Sequence, residues 1–133
     1  MKLAEIEQNR YALLRMERKK LPTKMIVAIV RNLDVLDAKY HELDRVRLAL
    51  LDECAAKDRK GKYITEKDEA GQEKVKLTKD GEKKFREEWT KALEADYDIR
   101  IVPITTADLE ACEDPRYDTL TVGEVRSLAF MLQ

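Results

Sequence analysis

One histidine, two cysteines and 27 carboxylates are the residues of this 133-residue sequence with the chemistry to bind a metal, relay a proton or attack a bond. Their spacing commits them to none of these tasks. His41 sits within a helical pattern in "KYHELD" with no serine or cysteine at a helical step, so it reads as a solvated or stacked imidazole rather than a general base. Cys54 and Cys112 are far apart and form no CxxC pair. With a single histidine they give neither a zinc ligand set nor a disulfide framework, and buried thiols are the expectation. Asp34, Asp37, Asp44 and Asp52 alternate with Lys39, Arg45, Arg47 and Lys57, the pattern of a solvated ion-pair face. "TKDGEKK" lacks the second glycine and the spacing of a phosphate loop. The sequence therefore assigns no catalytic residue, metal or cofactor, and reads as a binder rather than an enzyme.

The cations are more organised. Arg15, Arg18, Lys19, Lys20, Lys24 and Arg31 gather around "RKKLPTK", where a proline separates two helical patterns. Free backbone N–H groups at the start of the second helix would add to their field, giving a site for a small anion such as a nucleotide, or for an acidic protein. The alternative is that these residues suit the last turn of the first helix and keep the hinge wet. The candidate ligand-binding set is Arg18, Lys20, Lys24 and Arg31, joined by Arg100, Arg116 and Arg126, which either form internal salt bridges or line a pocket between subunits. A net charge of −1 argues against general nucleic-acid binding, which rests on a basic footprint. Residues 1–31 carry eight Lys/Arg and three Asp/Glu, whereas residues 101–133 carry two and six, so contact between the ends, within or between chains, is favoured.

The elements that must position these groups are mostly helices, because 40% of residues are charged and only four are glycine and three proline. Residues 2–20 predict a helix with Leu3, Ile6, Leu13 and Leu14 on one side, ended by Leu21-Pro22. A second helix over residues 24–57, roughly 50 Å long, follows from Ile26, Ile29, Leu33, Leu36, Tyr40, Leu43, Leu50 and Cys54 at alternating three- and four-residue steps, with Arg47 in the series. The first helix covers only part of this seam, so Leu33, Leu36, Tyr40, Leu43 and Leu50 are expected to meet the C-terminal half or another subunit, making a homo-oligomer. Residues 58–81 read as a charged hairpin around Gly71 or a mobile insert. A third helix starts near Gly81 with Thr78 or Asp80 as cap and Phe85, Trp89, Ala92 and Leu93 on its apolar face. "YDIRIVPI" predicts a strand over residues 97–104, with Pro103 at its edge. Thr106 caps a short turn over residues 107–112, and Thr121 with Glu124 has capping-box spacing before a terminal helix. No repeat is evident.

The expected fold is α+β and predominantly helical: a long antiparallel helical hairpin, a short β element and a C-terminal helix. It forms one domain over residues 1–133, comprising a hairpin at 1–57, the insert at 58–81, and a helix, short strand and terminal helix at 82–133. The apolar run at 25–30 is too short to cross a bilayer and no signal-peptide hydrophobic region opens the chain, so a cytoplasmic protein is expected.

Across "KKLPTKMIVAIVRNLDVLDAKYHELDRVRLALLDECAAKD" and "LTVGEVRSLAFML" the chain resembles a family of small uncharacterised phage proteins that share a leucine-proline hinge, a long helix with an Asn-Leu, a charged insert, a short β segment and a capped terminal helix. Thr121-Val122 stands where that pattern has threonine-proline. The resemblance implies a phage or prophage origin and carries over no catalytic residue. Taken with the chain's size, the missing catalytic groups and the basic hinge, that origin leads to the expectation of an accessory protein that acts on its host by binding, either inhibiting a defence protein or sequestering an anionic nucleotide signal. The alternative is a virion-assembly protein that uses the helical seam for protein contacts.

Overall fold

The computed structural model describes residues 1–133. Helix α1 spans Leu3–Leu14 and helix α2 spans Thr23–Cys54. A two-stranded antiparallel sheet follows, β1 at Thr65–Lys67 and β2 at Glu73–Val75. Then come α3 at Lys79–Glu94, α4 at Thr106–Glu110 and α5 at Val122–Ser127, with short 3-10 turns at Ala111–Glu113 and Ala129–Met131. The chain is thus α+β and predominantly helical, as the composition requires. No helix is long and apolar enough to cross a membrane.

Contacts gather the residues into two compact units, Met1–His41 with Asp96–Gln133, and Glu42–Ala95. These boundaries differ from the 57/58 and 81/82 divisions drawn from sequence pattern. Pattern marks where secondary structure changes, whereas a unit is defined by which side chains touch, and α2 contributes to both.

In the first unit, α1 runs antiparallel to the start of α2. Arg10 pairs with Asp37 and lies over the Tyr40 ring at 4.6 Å, while Leu13 near the end of α1 and Met16 just beyond it face Ile26, Ile29 and Leu33. Helix α1 stops at Leu14, six residues short of the expected end. The next amides bond three residues back, Met16 N–H to the Leu13 carbonyl and Glu17 N–H to the Leu14 carbonyl, which tightens the chain into the hinge. Met16 and Leu21 are thereby buried beneath it. The core joins Leu3, Ile6, Leu13, Met25, Ile29 and Leu36 to Ile104, Cys112, Leu128 and Met131 of the C-terminal segment.

The strand expected over 97–104 is absent. The segment is extended but has no neighbouring strand to pair with, so its polar groups are satisfied one point at a time. Tyr97 exchanges two hydrogen bonds with Met1, its N–H to the Met1 carbonyl at 2.8 Å and its carbonyl accepting from the Met1 ammonium at 2.9 Å. Val102 exchanges two with the Asn32 side chain. Ile104 bridges in parallel to Leu132, donating to the Met131 carbonyl and accepting from Gln133 N–H. The cap of α4 is Thr105 rather than Thr106: its hydroxyl accepts from Asp108 N–H and the Asp108 carboxylate accepts from Thr105 N–H. The box at Thr121 and Glu124 forms as its spacing predicts.

In the second unit, the segment expected over residues 58–81 forms a hairpin structure, and its last residues, from Lys79, open α3. Ala56 N–H donates to the Lys76 carbonyl, Lys76 N–H to the Ile64 carbonyl and Ile64 N–H to the Ala56 carbonyl, a closed cycle joining three chain segments. Two equivalent turns project from it. Asp58 Oδ1 accepts from the N–H groups of Lys60 and Lys62, and Asp68 Oδ1 accepts from those of Ala70 and Gln72. Gly61 and Gly71 each take a positive φ, 77° and 79°. Asp-x-x-Gly therefore occurs twice, ten residues apart, a short repeat that hydrophobic patterning alone misses. Helix α3, capped by Thr78, brings Gly81 against the carbonyl of Cys54, where a Cβ would collide with backbone.

Candidate functional site

Two cations of the basic hinge, Lys19 and Lys24, are paired within the chain. Lys19 Nζ lies 3.0 Å from Glu124, Lys24 Nζ lies 2.9 Å from Asp108, and Lys20 exchanges hydrogen bonds with Asp118 through its backbone N–H and carbonyl. The opposite charges of the two ends thus meet within the chain. Hydrogen bonding from Thr105 N–H, followed by Lys24, holds the Asp108 carboxyl below its ordinary range. At Glu124 burial acts upward, but Thr121 N–H and Lys19 outweigh it and the carboxyl is lowered. Both acids also cap helices, so each does two structural jobs at once.

The other candidate cations stay dispersed. Arg116 pairs locally with Asp114 at 3.1 Å and lies over the Tyr117 ring. Arg18, Arg31, Arg100 and Arg126 are exposed and carry no ion pair. Of the hinge cluster, only Lys19 lines the groove described below. The combined ligand set of Arg18, Lys20, Lys24, Arg31, Arg100, Arg116 and Arg126 is not assembled into one pocket: Arg18 and Lys20 lie in the hinge, Lys24 and Arg31 on α2 and the other three in the C-terminal segment, and Lys24 and Arg116 have carboxylates of their own.

His41 is exposed and meets the edge of Tyr40 at 5.6 Å. Cys54 and Cys112 are free and buried, and burial pushes the Cys112 thiol up, away from the reactive thiolate. No group of three or more His, Cys, Asp or Glu is placed to hold a metal ion.

Two residues of the expected oligomer seam, Leu36 and Leu43, are buried within the chain. Leu36 and Leu43 are 0% and 6% exposed, and Leu33, Tyr40 and Leu50 are half-buried. Alternating three- and four-residue steps mark a buried face without naming what buries it. The register also shifts: Met25 and Asn32 lie on the buried stripe, whereas Ile26 is exposed.

What remains open is a different surface. "MIVAIV" at 25–30 is apolar around the whole circumference of α2, the pattern of a helix buried on every side. Its own chain buries Met25, Ala28 and Ile29 but leaves Ile26, Val27 and Val30 at 44%, 40% and 50% exposure. Beside them Leu13, Met16, Leu21, Ile26, Ile29 and Leu33 line a groove of about 280 Å³ under the hinge, rimmed by Glu17, Lys19 and Asp34. In the second unit, Phe85 and Trp89 stack with ring centroids 6.3 Å apart in a shallow hollow with Leu77. The apolar run was visible in the sequence; which half of it stays uncovered was not.

Comparison of the chain with protein-family models, with curated proteins and with solved structures gives no match.

Proposed function

We propose that this chain is a non-enzymatic phage accessory protein that acts in the host cytoplasm by binding, with a host defence protein as its target and inhibition as its effect. The observation that carries the binding role is the groove under the hinge, with the uncovered Ile26 at its edge. Exposed apolar side chains clustered beside a groove with a charged rim suit an apolar helix or loop of a partner protein. They suit an anionic nucleotide less well, because Lys19 and Lys24 of the basic hinge are engaged by Glu124 and Asp108.

Nucleotide sequestration is the second reading. It is favoured by Arg18 and Arg31, whose exposed guanidinium groups carry no internal carboxylate. Virion assembly is the third, and would use the same apolar face against another virion protein.

The deciding experiment is native mass spectrometry of the protein purified from phage-infected cells, beside an Ile26→Glu variant. A host protein retained at fixed stoichiometry by the wild type and lost by the variant supports the inhibitor. A retained mass of nucleotide size, lost in Arg18→Glu and Arg31→Glu variants, replaces it with sequestration. Retention of a virion protein replaces it with assembly.

A further inference from the structure

On the outward side of α2, Val27, Val30, Arg31, Asp34, Val35 and Ala38 fall within an arc of about 140° at 100° per residue. This arc lies opposite the stripe of Met25, Asn32 and Leu36 that the chain buries. All six residues are exposed, and Val27, Val30 and Val35 are three of the eleven large hydrophobic side chains exposed in the whole chain, with a fourth, Ile26, beside the arc. Apolar exposure is therefore concentrated here rather than scattered. Near the middle of the arc stand one cation and one anion, Arg31 and Asp34, neither with an ion-pair partner in the chain.

We propose that this face is covered by a second copy of the chain. The two α2 helices would cross antiparallel about a two-fold axis passing between the levels of Asn32 and Leu33. In that register Arg31 opposes Asp34 of the second copy, Val30 opposes its Val35 and Val27 opposes its Ala38. Each pairing occurs twice, as a self-complementary contact requires. Charge selects this occupant. A basic or acidic foreign surface would satisfy one of the two central charges and repel the other, whereas the two-fold satisfies both.

Exposed ion pairs add little affinity, so the charges fix register and partner while the valines supply the driving force. The patch is narrow, about three helical turns, which places the dimer below the size of a standard stable interface and makes it dependent on concentration. Val30 and Asp34 also line the hinge groove, but the inference rests on the self-complementary charges of this face and not on the target proposed for that groove.

Charge exchange followed by sedimentation equilibrium from micromolar to millimolar chain tests this. The wild type should approach the mass of two chains. Arg31→Asp alone and Asp34→Arg alone each place like charges opposite one another in both pairings and should raise the dissociation constant by about tenfold or more. The two single variants mixed, and the Arg31→Asp/Asp34→Arg double variant by itself, restore opposite charges and should recover association. A wild type monomeric throughout, a dimer indifferent to the single reversals, or failure of the double variant to recover would each overturn the proposal. All the substituted side chains are exposed, and circular dichroism shows whether each variant is folded before its mass is compared.

Discussion

Asn32 on α2 holds the backbone of Val102: its Oδ1 accepts from the Val102 N–H at 2.6 Å and its Nδ2 donates to the Val102 carbonyl at 2.9 Å. A carboxamide carries the same donor and acceptor as a peptide unit, so one buried side chain does here what a neighbouring strand would do. Asn32→Ala removes both partners at once. It should lower stability by roughly 1–3 kcal/mol, the cost of leaving a desolvated polar group unpaired. Urea denaturation measures the loss, and amide exchange at Val102 should accelerate in the same variant. Asn32→Asp keeps the acceptor but turns a carboxylate toward a carbonyl, so its deficit should shrink as acidification protonates it.

Asp108 and Glu124 make stability depend on pH in a definite direction. Both carboxyls are lowered on folding from ordinary values of 3.8 and 4.5. The unfolded chain therefore binds protons more readily, and their contribution is complete above those values and is lost as pH falls through the lower folded ones. The urea midpoint should be flat near neutrality and drop below about pH 4. Asp108→Asn and Glu124→Gln should flatten that acid limb. Thr105→Ala, which removes the cap but not the carboxylate, should cost about 1 kcal/mol with little change in its shape.

Three glycines should answer differently to alanine. Gly61 and Gly71 hold positive φ with open space around the Cα, so alanine meets only backbone strain, about 1–2 kcal/mol at each turn. At Gly81 a Cβ would collide with the carbonyl of Cys54, and no side-chain movement relieves a backbone clash. Gly81→Ala should disrupt the packing of residues 42–95 far more than either turn substitution. Hydrogen exchange resolved by segment would show the difference.

Leu36 and Val30 separate stability from binding although both lie on α2. Leu36 is fully buried and Val30 is half exposed. Leu36→Ala should cost about 2–5 kcal/mol, whereas Val30→Ser should stay within about 0.5 kcal/mol. If the outward face binds as proposed, the Val30 variant loses association while its thermal midpoint stays near that of the wild type.

Much of the local structure was legible because it depends on neighbours in sequence. The hinge at Leu21-Pro22, the length of α2, the Thr78 cap and the Thr121–Glu124 box each follow from side chains within four residues of the backbone they serve. The hairpin at 58–81 was half legible. Its Gly71 turn showed, while the matching Asp58–Gly61 turn lay in a run of cations that resembles solvent-exposed loop.

The candidate site was less legible, because proximity in sequence carries no information about which charges meet in space. Lys19 and Lys24 look like an open anion site until Glu124 and Asp108 arrive from about a hundred residues away. The alternation in "YDIRIV" is that of a strand, yet a strand requires a second one, and the fold supplies Asn32 and Met1 instead. Sequence by itself determined helices, hinge and caps, since these rest on short-range sterics and hydrogen bonds. Tertiary structure alone decided which apolar face of α2 is spent on the core and which is left exposed, because burial depends on what the rest of the chain brings against it.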